Sequence, residues 1–320
     1  MANLTPGVGS QIVAGIAIEV TPGTYLAPTD WFRVETMPTL KYDPKRQGME
    51  TANGTLIAEQ EMVELDGDVK GDISIPLRAD EGWAVLGTMF QDVVTGTAVP
   101  YTHTLVPRAP VSFSLTIQRN GKWIGYAGLK GNKAVLSVNH STAAKAVITV
   151  EGTKKPQDVA SGTPVFPSDN LAIFTFSHLQ PALLIANGAT PVVSTDDWEI
   201  TLGSDNQANY GAGGAGLPTS IIPGIQTATW KFAKLFSEDA EYELFETAMM
   251  TPGTIQLAFH NGANRQLTIA SGGAYYPTHD FKGGVKDKIT EDYEVKTLPD
   301  TTGKLVSLVL VNSRSTAYVA

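Results

Sequence analysis

The feature that most constrains this chain is a period-two alternation of apolar and polar residues in several short segments. In VKGDISIPLR, Val69, Ile73 and Ile75 fall on one side of an extended chain, and Lys70 and Asp72 fall on the other. Such alternation predicts a strand with one buried face and one solvated face. The segments VSFSLTIQ, AVITVEG and LVSLVLV are further strand candidates.

Turn signals separate these strands. Asn120-Gly121 follows VSFSLTIQ and Asn261-Gly262 follows TIQLAFH, and both residue types tolerate the positive φ of a tight hairpin. The TPGT segments that start at Thr21 and Thr251 predict type II turns, because Pro-Gly suits that geometry. With 31 Gly and 19 Pro residues, the chain favours short strands over long helices. We therefore expect a mainly β protein.

Two stretches have helical periodicity. RADEGWAVLGTMF places Trp83 on an apolar stripe, with Asp80 and Glu81 at the positive end of the predicted helix dipole. SEDAEYELFETAMM places Tyr242 and Phe245 on a similar stripe. We interpret both stretches as short helices.

The two predicted helices reveal an internal repeat. Each follows a strand and precedes a strand pair with an Asn-Gly turn, and a long polar loop lies before each strand. The loops are KRQGMETANGTLIAEQEMVELDG and GSDNQANYGAGGAGLPTSIIPG, and loops of this length without structure are uncommon unless they are functional. We interpret the chain as two domains, residues 1–155 and 171–320, joined by a linker at 156–170.

Composition argues against several functional classes. A formal net charge of −9 disfavours nucleic-acid binding, and the lack of cysteine excludes disulfides and thiolate chemistry. The five histidines have no second ligand at short spacing, and the GAGGAG run lacks the Lys-Ser/Thr ending of a P-loop. No segment has the length of apolar sequence that spans a bilayer. We expect no catalytic residues, no metal and no cofactor, and therefore not an enzyme.

One local charge feature stands out. Between Glu59 and Asp72, six acidic residues stand against a single base, Lys70. The run is typical of a solvated loop edge, and it also fits a surface that repels polyanions. A calcium loop fits poorly, because the run lacks the combination of acids at the first, third and fifth positions with glycine at the sixth.

The opening of the chain carries a family resemblance. GIAIEVTPGTYLAPT, followed by WFRVE, resembles the N-terminal signature of the tail tube (major tail) proteins of phages with long, non-contractile tails. Further matching segments follow in order: VKGDISIPLRADEGWAVLGTMF, YTHTLVP, SFSLTIQRNGKWIGYAGLKGNKAVLSV, VITVEGTKK, WEITLGSDN, LPTSIIPG and GTIQLAFHNG. The likeness spans nearly the whole chain. The Gly-rich loop at 210–216 and the tail after Val311 have no counterpart in the family pattern.

The resemblance implies a mainly β fold of two tandem tail-tube-like β-sandwich domains, each with a short flanking α-helix, in a ring with a central β-barrel lumen. Since one-domain members close rings of six, a two-domain chain implies a pseudo-hexameric trimer, with a plain hexamer as the alternative. The implied function is a structural virion protein whose stacked rings form the hollow tail tube that conducts DNA. The alternative is another virion β-protein, such as a capsid decoration or baseplate component.

The resemblance also implies partners and locations. The chain would assemble with copies of itself, a tape measure protein, a tail terminator and baseplate or tail tip proteins. Double-stranded DNA would pass through the lumen without specific binding, and no membrane is involved. The protein would be in the host cytoplasm during assembly and in the phage tail afterwards.

The resemblance to tail tube proteins also suggests roles for individual residues. We expect the acidic side chains of Asp66, Asp68 and Asp72 to face the lumen. The loops expected to stack one ring on the next contain Gly48, Asn53, Glu59, Gly211, Gly214 and Pro218. The aromatic residues expected to anchor the core or a subunit interface are Trp31, Trp83, Tyr242 and Phe245.

Overall fold

A computed structural model describes most of the chain, and it is mainly β. The described residues are 12–50, 59–119, 121–166, 173–180, 195–211, 217–235, 253–282 and 290–318. They contain eighteen strands, one five-residue α-helix, α1 (Trp83–Gly87), and one 3₁₀ turn (Phe176–His178). The mainly β class predicted from the alternation is confirmed.

The strands follow one another along the chain with short connections in most places. The first ten are β1 (Ala14–Ile18), β2 (Asp30–Phe32), β3 (Lys41–Glu50), β4 (Glu59–Pro76), β5 (Phe90–Thr95), β6 (Tyr101–Pro107), β7 (Phe113–Arg119), β8 (Lys122–Asn139), β9 (Lys145–Gly152) and β10 (Gln157–Asp158). The others are β11 (Thr195–Gly203), β12 (Gln207–Asn209), β13 (Ser220–Ile222), β14 (Thr227–Leu235), β15 (Gly253–His260), β16 (Gln266–Lys282), β17 (Thr290–Leu298) and β18 (Ser307–Asn312).

Sixteen of these strands form one antiparallel sheet, and β12 and β13 form a separate hairpin. The main path through the sheet is β2-β1-β7-β8-β11-β14-β17-β16-β18-β6-β5. Along this path, two strand pairings join the two halves of the chain: β8 with β11 and β18 with β6. Among the strands described, the path does not close into a barrel.

The same four-strand unit occurs in both halves. In the first half the order is β4-β9-β8-β7, and in the second it is β14-β17-β16-β15. Each unit has two register shifts at corresponding places: Phe113/Leu115 and Gly131/Lys133 in the first, Gly253/Ile255 and Tyr275/Thr278 in the second. Shared bulges at matching positions support the interpretation of a duplicated chain. The domain and linker boundaries remain predictions.

Alternation along the strands builds one continuous core. In β9, Ala146, Ile148 and Val150 are fully buried and the residues between them are partly exposed. Trp198 on β11 stacks on Phe232 of β14, which stacks on Tyr293 of β17, with ring centroids 4.4 and 5.0 Å apart. Since stacked aromatic pairs add to the stabilisation from burial, this row fixes the order of three strands.

The glycines of both predicted Asn-Gly turns have positive φ and lie between paired strands. Gly121 (φ 76°) lies between β7 and β8, and Gly262 (φ 88°) lies between β15 and β16. The N–H of Thr24 donates to the carbonyl of Thr21 at 3.1 Å, with Gly23 at φ 81° as a type II turn requires. At the second TPGT segment, Gly253 begins β15.

The predicted first helix is much shorter than its periodicity indicates. Only Trp83–Gly87 is helical, because Gly82 adopts φ 86° and ends the helical geometry there. Asp80 and Glu81 therefore lie before the helix, and Glu81 binds the backbone and guanidinium of Arg33. The second predicted helix, with Tyr242 and Phe245, lies outside the described residues.

The prediction of a first long polar loop is wrong, because much of this segment forms a β-hairpin. β3 and β4 pair from Lys41↔Lys70 to Glu50↔Glu59, so backbone pairing holds a segment that has little apolar alternation. The second loop contains the short β12–β13 hairpin. The predicted linker is also partly ordered, since Asp158 of β10 pairs with Ile124 of β8.

Candidate functional site

Eight strands in the order β3-β4-β9-β8-β11-β14-β17-β16 present a continuous polar face. We define the polar face as the side chains of these strands that alternate with the buried core positions. Its described charged residues are Lys41, Asp43, Lys45, Asp68, Lys70, Asp72, Lys130, Lys133, Lys145, Glu151, Asp197, Glu199, Lys231, Asp280, Asp292, Glu294 and Lys296. Nine acids stand against eight lysines, so the described charges of the face nearly balance.

The middle of the polar face is concave. A cavity of about 550 Å³ lies across β8, β11, β14, β17 and β16, and its lining combines five acids and two lysines with the aromatic residues Trp198, Phe232 and Tyr293. Glu199, Lys231 and Glu294 lie opposite one another on three neighbouring strands. The Lys231 Nζ lies 3.9 Å from a Glu294 carboxylate oxygen. The row alternates in charge, which favours this strand order.

The predicted lumen-facing acids lie on β4. Asp68 and Asp72 are on the polar face, and Asp72 accepts a hydrogen bond from the Thr149 hydroxyl at 2.6 Å. Asp66 lies in β4 among residues whose side chains the structure does not describe. That any of the three lines a lumen remains a prediction.

Asp68 joins the two halves of the chain. The Tyr210 hydroxyl donates a hydrogen bond to its carboxylate, and Lys45 and Lys70 lie 3.4 and 3.9 Å away. Burial by itself raises the pKa of Asp68, but the Tyr210 hydrogen bond and the charges of Lys70 and Lys45 outweigh it. The pKa of Asp68 therefore lies below its ordinary value, and the acid is charged at neutral pH.

The predicted stacking loops are only partly loops. Gly48 lies within β3 and Glu59 begins β4, so these two positions are in strands that extend the β3–β4 hairpin. Gly211 is exposed and Pro218 is buried on either side of the Gly-rich segment. Asn53 and Gly214 lie outside the described residues. Contacts between rings remain a prediction for all six positions.

The described aromatic anchors lie in two settings. Trp83 is 1% exposed, and its indole N–H donates to the Arg78 carbonyl at 2.5 Å. Trp31 is half-buried and packs edge-to-face on Trp123, with ring centroids 5.6 Å apart. Trp83 thus lies in the core of the chain, and a role of either residue at a subunit interface remains a prediction.

Two buried polar clusters are absent from the sequence reasoning. Glu19, directly after β1, accepts hydrogen bonds from the backbone N–H groups of Gly23 and Gly128 and from the hydroxyls of Ser112 and Ser114. Glu19 is 7% exposed. Glu19 lies within the segment that carries the family resemblance, but three of its four donors, from Ser112, Ser114 and Gly128, are distant in sequence.

The second cluster ties the C-terminal segment to the sheet. His103 on β6 is fully buried and contacts the Asp92 carboxylate and the Arg314 carbonyl, both at 2.9 Å. The same Asp92 oxygen accepts the backbone N–H of Tyr318 at 2.8 Å. Of the five histidines, this one has a clear structural role.

Two edges of the eight-stranded sheet are open in the described parts of the chain. We define the β3 edge as the side of residues 37–43 that faces away from β4. The Glu35 and Thr39 N–H groups donate to carbonyls of Ser74 and Asp72, so the chain already runs along β4 before β3 begins. We define the β16 edge as the side of Thr278–Lys282 that faces away from β17.

The described residues contain no arrangement that is typical of a metal site. There, no group of three or more His, Cys, Asp or Glu side chains is arranged to hold a metal ion. No helix among them has the length and apolarity to cross a membrane. The prominent features are instead an extended charged face and unpaired strand edges.

A mainly β chain with a duplicated unit, a charged sheet face and open edges defines a structural protein suited to association with other β-sheets. The chain belongs to the phage tail tube protein family, whose model matches residues 9–297. No curated protein gives a significant match to the chain. Family membership makes it a structural, non-enzymatic protein of the virion tail.

Proposed function

We propose that this protein polymerises as stacked rings into the tail tube and that DNA passes through the lumen. The observation that carries the proposal is the eight-stranded sheet, which contains two copies of one unit and, among the described residues, has an open edge at each side. Unpaired strand edges are templates for pairing with other chains. A ring removes both edges from every subunit, because each edge pairs with a neighbour.

Three chains per ring follow from the duplication. If each half, within residues 1–155 and 171–320, is one tail tube domain, then three chains supply the six domains that one-domain relatives use. The measured mass of a dissociated ring tests this number. Three copies of the 34.0-kDa chain support the proposal, and six copies support a plain hexamer.

In this arrangement the polar face lines the lumen. At −9 per chain, a ring of three carries a formal charge of −27. Phosphates find few unpaired cations on such a wall, so DNA does not adhere to it. The repulsion acts close to the wall, since the Debye length at physiological salt is about 8 Å.

The acids of β4 offer a test of the lumen assignment. Replacing Asp66, Asp68 and Asp72 together with Lys should leave tube assembly nearly intact and impair DNA ejection, because the wall would then bind phosphates. Asp158→Lys, an exposed acid outside the polar face, is the control and should eject DNA normally. Unchanged infectivity of the triple variant would count against the assignment.

The β3–β4 hairpin is the proposed contact between rings. Deleting residues 48–59 should give folded protein that forms rings but does not lengthen into tubes. Normal tubes from this deletion would refute the assignment.

Assembly itself separates a tube subunit from the alternative virion roles. Negative-stain microscopy of the concentrated protein should show tubes of uniform width. Capsid decoration or baseplate components would give closed particles or no polymer. In the virion, contacts with a tape measure protein, a tail terminator and tail tip proteins follow from the same proposal.

A further inference from the structure

Each open edge carries a pair of like charges. At the β3 edge, Lys41 lies directly opposite Lys70 of β4. At the β16 edge, Asp280 lies directly opposite Asp292 of β17. Within the chain, Lys41 lies 3.7 Å from Asp43, and Lys70 lies 3.9 and 3.5 Å from Asp68 and Glu151, so nearby acids offset part of the repulsion between the two lysines. An opposite charge on a strand added at either edge would still favour pairing, because opposite charges directly across two strands stabilise the pair.

The chain contains an internal example of how two units join. β8 of the first unit pairs with β11, the strand that precedes the second unit, through seven residue pairs from Asp197↔Asn139 to Gly203↔Lys133. β11 then pairs with β14 as β3 pairs with β4. The β8–β11 junction is therefore a template for joining β16 to β3 of another copy.

The register of that template can be transferred through the shared bulges. The first paired residue beyond the bulge is Lys133 in β8 and Thr278 in β16. Two residues further on, Val135 of β8 corresponds to Asp280 of β16. Val135 pairs with Thr201 of β11 inside the chain.

The counterpart of Thr201 in β3 follows in the same way. Beyond the bulges, Lys133 pairs with Thr149 of β9, and Thr149 pairs with Asp72 of β4. In the second unit, the equivalent path leads from Thr278 through Glu294 to Lys231 of β14. Asp72 and Lys231 therefore correspond.

Lys70 lies two residues before Asp72, and Thr229 lies two residues before Lys231. Lys70 pairs with Lys41 of β3, and Thr229 pairs with Thr201 of β11. Lys41 is therefore the counterpart of Thr201. The template places Lys41 opposite Asp280.

We propose that the β16 edge of one subunit pairs antiparallel with the β3 edge of the next copy, in the register that sets Asp280 opposite Lys41 of that copy. The row across the junction is then Asp292, Asp280, Lys41 and Lys70. In this row the two like-charged pairs flank a central ion pair between Asp280 and Lys41. This inference rests on the proposed ring assembly and names the strands and residues that close it.

Charge reversal tests the pair. The substitution Lys41→Asp places a third acid beside Asp280 and Asp292 in the row across the junction. The substitution Asp280→Lys places a third base beside Lys41 and Lys70. Each should raise the concentration needed for assembly at least about tenfold, because like-charge contacts across an interface are strongly unfavourable. The double variant Lys41→Asp/Asp280→Lys should restore assembly to near the unmodified level.

The matched control is Lys296→Asp, an exposed lysine on the polar face of β17 that is away from the open edge. It makes the same charge change as Lys41→Asp and should assemble normally. Sedimentation and negative-stain microscopy measure assembly, and circular dichroism confirms folding. Single variants that assemble normally, or a double variant that stays defective, would overturn the register.

A cysteine pair tests the register independently, since the chain has no cysteine of its own. Residues directly opposite on neighbouring strands have Cβ atoms about 4.5–5.5 Å apart. Oxidised Lys41→Cys/Asp280→Cys protein should therefore give covalent ladders that end at three chains. Lys41→Cys/Lys296→Cys is the control, and an equal ladder from it would contradict the register.

Comparing the unmodified protein with the charge variants distinguishes a failure of this junction from a failure of the proposed function. Unmodified protein that forms tubes, together with charge variants that fail to show the pattern above, would leave the tube function standing and remove this junction. Unmodified protein that forms no tube and no ring at high concentration would remove the proposed function itself.

Discussion

The most detailed stability prediction concerns Glu19. Its Oε1 accepts hydrogen bonds from the Ser114 hydroxyl and the Gly128 N–H, at 2.7 and 2.8 Å. Its Oε2 accepts from the Gly23 N–H and the Ser112 hydroxyl, at 2.7 and 2.6 Å. A carboxylate can serve four donors because both oxygens are acceptors only.

Glu19→Gln keeps one acceptor oxygen and turns an N–H₂ group toward the other two donors. A hydroxyl can rotate, but a backbone N–H cannot, so one buried donor loses its partner at a cost of about 1–3 kcal/mol. The two bonds that remain lose their charge assistance, about 1 kcal/mol each. We expect a loss of about 3–5 kcal/mol in the free energy of unfolding, which lowers Tm by roughly 5–7 °C for a chain of this size.

Thermal unfolding of the unassembled protein measures this loss. Glu35→Gln is the matched control, because Glu35 is exposed and contacts the Ser74 hydroxyl and Lys145 at the surface. It should change the free energy of unfolding by less than about 0.5 kcal/mol. Equal Tm values for the two variants would refute the argument that the four donors make Glu19 structural.

Three further predictions concern the core, a titrating group and the β3 edge. Phe232→Ala removes the middle ring of the stack with Trp198 and Tyr293, and should cost about 3–5 kcal/mol in urea unfolding. A loss below about 1 kcal/mol would show that the stack adds little. Tyr210→Phe removes a hydrogen bond that lowers the pKa of Asp68, so an NMR titration should show this pKa rising toward its ordinary value. Because the folded-state pKa is depressed, the stabilisation is present above the ordinary value and is lost as pH falls through the folded-state pKa. An unchanged titration of Asp68 would contradict the assignment. Gly71→Ala puts a Cβ within 2.6 Å of the Leu40 backbone, so it should cost about 1–3 kcal/mol and weaken assembly by displacing the β3 edge. Unaltered unfolding and assembly would show that the segment around Leu40 can move freely.

The sequence predicts the strands that have one buried face. β4 at residues 69–76, β7, β9 and β18 alternate clearly, and each Asn-Gly turn specifies its hairpin locally. These elements were predictable because period-two patterning and positive φ are properties of short segments. The family resemblance added the class of protein, which the family match confirms.

The long polar loop was misjudged for a physical reason. Residues 45–67 alternate weakly, and their strands are specified by backbone pairing between β3 and β4 rather than by an apolar face. The first helix was overestimated at both ends: Gly82, at φ 86°, lies directly before it, and the apolar spacing continues to Phe90, which begins β5. The local periodicity of apolar residues predicts which side chains are buried, but it does not predict which strand pairs with which.

The contacts of the candidate site were the part of the structure that was hardest to predict from sequence. The acidic run drew attention to Asp68 and Asp72, but their salt bridges and hydrogen bonds involve residues far along the chain. The β8–β11 junction also has no local signature, since its two strands are separated by more than fifty residues. The repeated bulges became visible only through the pairing registers.

A cryo-EM map of the assembled tube tests the central claim most directly, because it shows which strands complete each sheet. The account predicts three chains per ring, with β16 of each chain hydrogen-bonded to β3 of the next and Asp280 opposite Lys41. A map with six chains per ring, or with these two edges facing solvent, would contradict it.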